Sequence, residues 1–298
     1  MKKALVTGVT SFVGRALAAR LAAQGTEVHA IVRPTSNKAL FDGMAAEPQF
    51  HTHPGDAASL SAIVAEIAPD TVFHLAGTYL KNHTPVDVDG LMRDNFSFGV
   101  QLLDAAVAAG SKTFVNTGSY FQYDGDDGPK PYNLYAAAKQ AFTDVLDHYR
   151  NVHGIRAATL VLFDSYGPGD WRTKLIPALL KARQSGDTLP VPADDPLLDL
   201  VHADDIAAAF TLAAQMLGDG ATDIDGGSFA VTSGTPMRIS EIVALAETVG
   251  GKPITTAKGD WPAPERPLPA LWTGPTLPGW RAEISLADGL RKLIEADA

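Results

Sequence analysis

The chain has 298 residues, no cysteine, and a formal net charge of −10 from 34 acidic and 24 basic side chains. Without a thiol it has no disulfide, zinc–thiolate site or cysteine nucleophile, and without a run of Lys or Arg it lacks an electrostatic footprint for nucleic acid. No stretch reaches the ~20 apolar residues of a spanning helix. The apolar run from Ala4 breaks at Gly8 and is followed by Thr10, Ser11 and Arg15, which argues against a signal peptide. A soluble, cytoplasmic protein without membrane contact is expected.

Short β-rich runs alternate with amphipathic stretches from the start. Residues 4–6 read as a buried strand, 13–24 as a helix ended by Gly25, and 28–32 as a second strand. A helix follows at 60–67, a strand at 71–75, a helix at 95–109 and a strand at 113–116. A long helix at 135–153 and a strand at 157–163 complete the series. Strands separated by helix-length segments imply βαβ units and an α/β fold with a doubly wound parallel sheet, which binds ligands at its carboxyl edge.

Beyond about residue 165 prolines cluster, at 168, 177, 190, 192 and 196 and again at 253–278, interrupted by helices at 204–217 and 240–249. The expected organisation is a dinucleotide-binding domain over 1–165, joined by a strand and helix from about 195–217. A smaller, loop-rich substrate region then occupies most of 166–298.

Residues 4–14, ALVTGVTSFVG, read as strand, tight turn and helix start. Gly8 and Gly14 hold the outer positions of a G-x-x-G-x-x-G spacing, with Ser11 in the middle. Such a turn aims helix N-terminal N–H groups, those of Ser11, Phe12 and Val13, at a pyrophosphate. An ordinary βα turn has the same local pattern. At the tip of the second strand an acidic residue would select NAD by its ribose hydroxyl, whereas an arginine accepts a 2′-phosphate. Here the strand runs into Arg33-Pro34-Thr35-Ser36, with no carboxylate. NADP(H) is therefore favoured, with NAD(H) possible and a solvated surface arginine as the alternative. Asp56 is a candidate contact for the adenine amine.

Tyr135 and Lys139 lie four residues apart on one helical face. A phenol titrates near 10 in isolation; a neighbouring ammonium and an oxidised nicotinamide are expected to bring it down. Ser119, placed just past the strand at 113–116, would donate a second hydrogen bond to the same substrate oxygen.

In combination these pieces resemble the extended short-chain dehydrogenases/reductases, also called the NAD-dependent epimerase/dehydratase family, which has a Rossmann-type fold. The matching segments are TGVTSFVG (7–14), HLAG (74–77), the Ser119/Tyr135/Lys139 set, YGPGD (166–170), LIPALL (175–180), LVHADDIAAAF (200–210) and PGWRAEISLADGLRK (278–292). The resemblance implies that Leu75, Ala76 and Gly77 face the nicotinamide with Tyr135, Lys139 and Phe163. It places Thr78, Ser119, Tyr120 and Asp164 around a nucleotide-linked sugar. Arg172, Lys174 and Arg266 become candidate donors to the substrate diphosphate, although a solvated pair at a helix start reads equally well for the first two. It also implies a homodimer through the helices at 95–109 and 135–153, whose apolar stripes could instead only cover the sheet.

The departures from the family pattern carry information. Ser11 replaces a glycine, Asp164 stands where many relatives have Asn, and Leu198 where many have a phosphate-binding Arg. Ser119 is followed by Tyr120-Phe121 rather than the acid pair of the sugar 4,6-dehydratases. FDSYGPGD (163–170) and LLDLVHADD (197–205) resemble the reductases of CDP-4-keto-deoxyhexoses. The expected activity is an NADPH-dependent ketoreductase of a CDP- or dTDP-linked 4-keto-deoxyhexose, with Tyr135 as proton donor. A nucleotide-sugar 4-epimerase using bound NAD is the alternative, and a redox-inactive NADP-sensing regulator a third reading.

Overall fold

A strand buried on both faces needs apolar side chains at almost every position, and LVT, VHAIV and TFVNTGS meet that demand with hardly a side chain in water. The computed structural model describes residues 1–44, 47–126, 128–259 and 267–296. In chain order its elements are β1 (Lys3–Thr7), α1 (Phe12–Ala23), β2 (Glu27–Val32), β3 (Gln49–Thr52), α2 (Ala57–Ile67), β4 (Thr71–His74), α3 (Val88–Met92), α4 (Phe98–Ala108), β5 (Thr113–Ser119), α5 (Leu134–His153) and β6 (Arg156–Leu162). There follow β7 (Asp164–Tyr166), α6 (Leu175–Ser185), β8 (Leu189–Val191), β9 (Leu197–Leu198), β10 (Leu200–His202), α7 (Ala203–Gly218), β11 (Ser228–Val231), β12 (Met237–Arg238), α8 (Ile239–Gly250), β13 (Thr256–Lys258) and α9 (Leu286–Ala296).

Seven strands form one sheet in the order β11-β6-β5-β4-β1-β2-β3, and every pairing in it is parallel. The chain runs outward in one direction from β1 and in the other from β4. The strand order therefore reverses between them, and a crevice opens beyond their carboxyl ends. Alternate side chains feed two cores. Ala4, Val6, Phe73, Val115 and Ala158 point to the side covered by α1 and α7, and Leu5, Val72, Phe114 and Ala157 to the side covered by α2, α4 and α5. A third cluster, built around Tyr166, Ile176, Leu179, Ile242 and Leu290, holds the C-terminal region together.

Three elements differ from the sequence reading. The helix expected at 95–109 is preceded by α3, and the two are joined by a π-helical stretch at Arg93–Ser97. Strand β5 continues to Ser119, because Thr117, Gly118 and Ser119 stay in register with Leu160, Val161 and Leu162 of β6. Gly118 looks like a turn residue, but it is a packing glycine; a Cβ there would sit 2.9 Å from Thr159 Cγ2. The strand expected within 195–217 does not join the large sheet, since β10 pairs with β7. The seventh strand is β11, a four-residue SFAV run that pairs with β6.

Candidate active site

The crevice at the switch point is a cavity of about 990 Å³. One wall is the turn after β1. Gly8 has φ +70°, and a Cβ on it would lie 2.6 Å from the Ala76 nitrogen. A Cβ on Gly14 would lie 2.2 Å from the Gly8 carbonyl oxygen. Ser11 caps α1 with φ −73° and ψ 164°, its Oγ accepting from the Gly14 N–H at 3.0 Å. Extended backbone of this kind suits any residue, so serine stands there without strain and supplies the cap. The first-turn N–H groups of Phe12 and Val13 have no intrahelical partner, and both residues line the cavity.

Thr7, the last residue of β1, ties this turn to β4. Its Oγ1 accepts from the Ala76 N–H at 3.3 Å and lies 2.8 Å from His74 Nδ1. Burial, followed by the charge on Lys139, pushes His74 down to about 3, so the ring stays neutral. The π stretch brings Asn95 against the next loop: its Oδ1 accepts from the Thr78 N–H at 3.2 Å and its Nδ2 donates to Thr78 O at 2.9 Å. Gly77 is required beneath it, because a Cβ would sit 2.6 Å from Asn95 Oδ1.

At the end of β2, Arg33, Pro34, Thr35 and Ser36 line the same cavity. Arg33 is exposed, and its guanidinium has no ion pair among the described residues. Two buried polar atoms on the lining have no hydrogen-bond partner: His53 Nδ1 near that end and Thr117 Oγ1 near the other. The glycine at position 8, the first-turn N–H groups of Phe12 and Val13 on the lining and the two orphaned polar atoms fit a bound dinucleotide. Asp56 stands outside the lining. Its carboxylate caps α2 through the Ser59 N–H at 2.8 Å and the Ser59 hydroxyl at 2.7 Å.

At the other end stand Ser119, the last residue of β5, and Tyr135 in the first turn of α5. Helix α5 starts where Asn133 accepts from the Ala136 N–H at 3.0 Å. The Ser119 side chain lies beside the Tyr135 phenol. The expected lowering of this phenol by Lys139 is not found; burial is the largest influence and pushes it up, with Ser119 acting against it. The reason is geometric. Lys139 Nζ donates to Thr117 O at 2.8 Å and lies 5.6 Å from the Tyr135 ring centre, beneath the cavity floor. Burial pushes this ammonium down to about 8.

The expected substrate residues divide. Thr78, Ser119, Tyr120, Asp164, Arg172 and Lys174 all line the cavity, as do the cofactor candidates Leu75, Ala76, Gly77 and Phe163. Arg172 is heavily engaged. It forks onto Asp170 with two bonds of 2.7 Å, donates to Ser165 Oγ and O at 3.0 and 2.8 Å, and stacks 4.1 Å from the Phe12 ring centre. One of its five N–H donors is left for a diphosphate. Lys174 pairs with Asp164 at 3.0 Å. Arg266 lies outside the described residues.

Thr7, His53, Tyr79, Thr117, Phe121 and Trp171 also line the cavity and were not singled out from the sequence. Only Phe121, two residues past Ser119, carried a positional signal. Among the described residues no cluster of His, Asp and Glu could hold a metal ion, and no helix is long and apolar enough to cross a membrane.

The NAD dependent epimerase/dehydratase family model matches residues 4–225. CDP-abequose synthase from Yersinia pseudotuberculosis is 27% identical over 69% of this chain and 70% of its own length. UDP-glucose 4-epimerase from Mycolicibacterium smegmatis is 26% identical over 98% of this chain and 97% of its own. The crystal structure of UDP-glucose 4-epimerase from Brucella ovis in complex with NAD shares the fold, with a TM-score of 0.81 and 24% identity over 98% of this chain and 97% of that one. With the glycine turn, the HLAG loop and the Ser–Tyr–Lys set all inside the matched span, the chain belongs to the NAD-dependent epimerase/dehydratase family, the extended short-chain dehydrogenases/reductases, and is an enzyme of that family.

Proposed function

We propose that this enzyme is an NADPH-dependent ketoreductase of a CDP- or dTDP-linked 4-keto-deoxyhexose. The observation that carries the reading is the end of β2, where Arg33, Thr35 and Ser36 line the cavity that also holds Ser119 and Tyr135. A guanidinium flanked by two hydroxyls suits a 2′-phosphate, and no carboxylate stands there to take a ribose hydroxyl. When bound, the reduced nicotinamide supplies hydride to the carbonyl carbon. Tyr135 donates the proton to the carbonyl oxygen, and Ser119 holds that oxygen. Burial keeps the phenol protonated, which is the state a donor needs in the reducing direction. Lys139, bonded to Thr117 O, braces the floor below them. Lys174 and the free donor of Arg172 remain the candidates for the diphosphate.

The nucleotide-linked sugar is supported by relatives named for CDP-abequose and UDP-glucose chemistry. The 4-epimerase reading keeps its standing because that relative aligns end to end. Fluorescence titration of NADPH and NADH on wild type and Arg33→Ala separates the two. A preference for NADPH of at least tenfold, about 1.4 kcal/mol, that disappears in the variant is expected. Co-purified NAD and an indifferent variant would put the epimerase first.

Pairing of two copies through the π stretch, α4 and α5 belongs to the same reading, because Phe96, Val100, Val145 and Tyr149 are only partly covered. Light scattering at micromolar concentration should return a dimer, and a monomer removes the idea.

A further inference from the structure

Two neighbouring residues of α5 reach back to the end of β5. Lys139 Nζ donates directly to Thr117 O. Gln140 reaches Ser119 through an intermediary, Gln122, the last residue of a short 3₁₀ turn at Tyr120–Gln122. Gln122 Oε1 accepts from the Ser119 N–H at 2.8 Å, and Gln122 Nε2 donates to Gln140 Oε1 at 3.0 Å. Gln140 Nε2 donates in turn to Asp144 Oδ1 at 3.1 Å. The direction of this row is fixed at both ends, because a backbone N–H donates and a carboxylate accepts.

Gln122 is fully buried, where an amide is retained only with partners. The strand leaves room for it: a Cβ on Gly118 would lie 3.0 Å from Gln122 Oε1. The backbone is pinned as well, since the Gln122 carbonyl accepts from the Lys130 N–H at 2.8 Å. Neither Gln122 nor Gln140 belongs to the cavity lining, so the row lies behind the wall that carries Ser119 and Tyr135. Those two side chains come from different elements, and Gln122 joins the elements at the level of Ser119.

Resting on the roles given above to Ser119 and Tyr135, we propose that Gln122 is a positioning residue. Bonded to the Ser119 N–H on one side and to the helix of Tyr135 on the other, it sets the Ser119 hydroxyl against the phenol around the reacting oxygen. A displacement of about 1 Å at such a pair can cost up to about 10²-fold in rate.

The test is a double-mutant cycle of Gln122→Met and Ser119→Ala on the full chain, following NADPH oxidation with a CDP-linked 4-keto-6-deoxyhexose. Methionine keeps the length of the side chain and removes both hydrogen bonds. With Ser119 present, Gln122→Met should lower kcat about 10-fold and leave KM for NADPH and for the sugar within about twofold. In the Ser119→Ala background it should lower kcat by less than about twofold, because no hydroxyl is left to aim. Gln140→Leu, at a partly buried position of α5, frees one end of the row and should lower kcat about threefold, again only with Ser119 present. It carries the cycle alone if Gln122→Met does not fold. Losses of equal size in both backgrounds, or a kcat untouched by either variant, overturn the positioning role and leave the reductase standing. A wild type that leaves the keto sugar unreduced overturns the reductase reading, and the same cycle is then read on 4-epimerisation of UDP-glucose, where the same two comparisons decide. A wild type inactive in both reactions overturns the positioning role as well.

Discussion

Tyr135→Phe is expected to lower kcat by about 10²- to 10⁴-fold, the range of a positioned general acid, with little change in melting temperature. The change deletes one oxygen and keeps the ring, so the edge-on contact with Tyr79 survives. Ser119 retains its bond from the Phe121 N–H. Binding of NADPH and of nucleotide sugar should stay within a fewfold of wild type, because the lost interaction belongs to the developing alkoxide rather than to the ground state. Pre-steady-state NADPH oxidation separates this from slow product release. Unchanged turnover in the variant would remove Tyr135 as the donor and leave Ser119 as the proton source.

Gly14→Ala should weaken both the fold and the cofactor site. The added methyl would meet the Gly8 carbonyl oxygen at 2.2 Å and the Val9 Cα at 2.9 Å, contacts with backbone that cannot rotate away. Helix α1 must lift off the turn, or the turn must open. Overpacking of this kind costs about 1–3 kcal/mol, a drop of about 2–12 °C in melting temperature at about 2–4 °C per kcal/mol. The same displacement moves the N–H groups of Phe12 and Val13, so NADPH affinity should fall at least tenfold, about 1.4 kcal/mol. Gly218→Ala is the control, because a Cβ there meets nothing within 4 Å. Its melting temperature should match wild type or exceed it slightly. Should Gly14→Ala bind NADPH as wild type does, the turn after β1 is not the cofactor cradle.

Several differences between expectation and structure have one origin. Asp56 could be read as a cap, an acid one residue before a helical run, and the structure uses it so. The Asp170–Arg172 fork spans two residues in sequence, but whether the arginine folds back or reaches out depends on Ser165 and Phe12, which come from other elements. Strand β11 has only four residues between glycines and a polar turn, too short to stand out, and becomes a strand because β6 offers an open edge. The phenol of Tyr135 moved opposite to the local expectation because the intramolecular geometry sends Lys139 to a carbonyl, leaving desolvation as the larger influence.

By itself the sequence determined what depends on spacing along the chain. It set the strand, turn and helix at 4–14, the alternation of strands and helices that makes a parallel sheet, the one-face placement of Tyr135 and Lys139, and the missing carboxylate after β2. Each follows from a period of two or 3.6 residues, or from the conformational freedom of glycine, and needs no partner from elsewhere. Tertiary structure decided which groups meet: Ser119 with Tyr135, Asn95 with Thr78, Lys139 with Thr117, and the aromatic row from Phe163 to Tyr79. Those contacts join residues tens of positions apart. Their geometry is set by strand register and by close packing around glycines that leave no room for a Cβ, neither of which is written in local spacing.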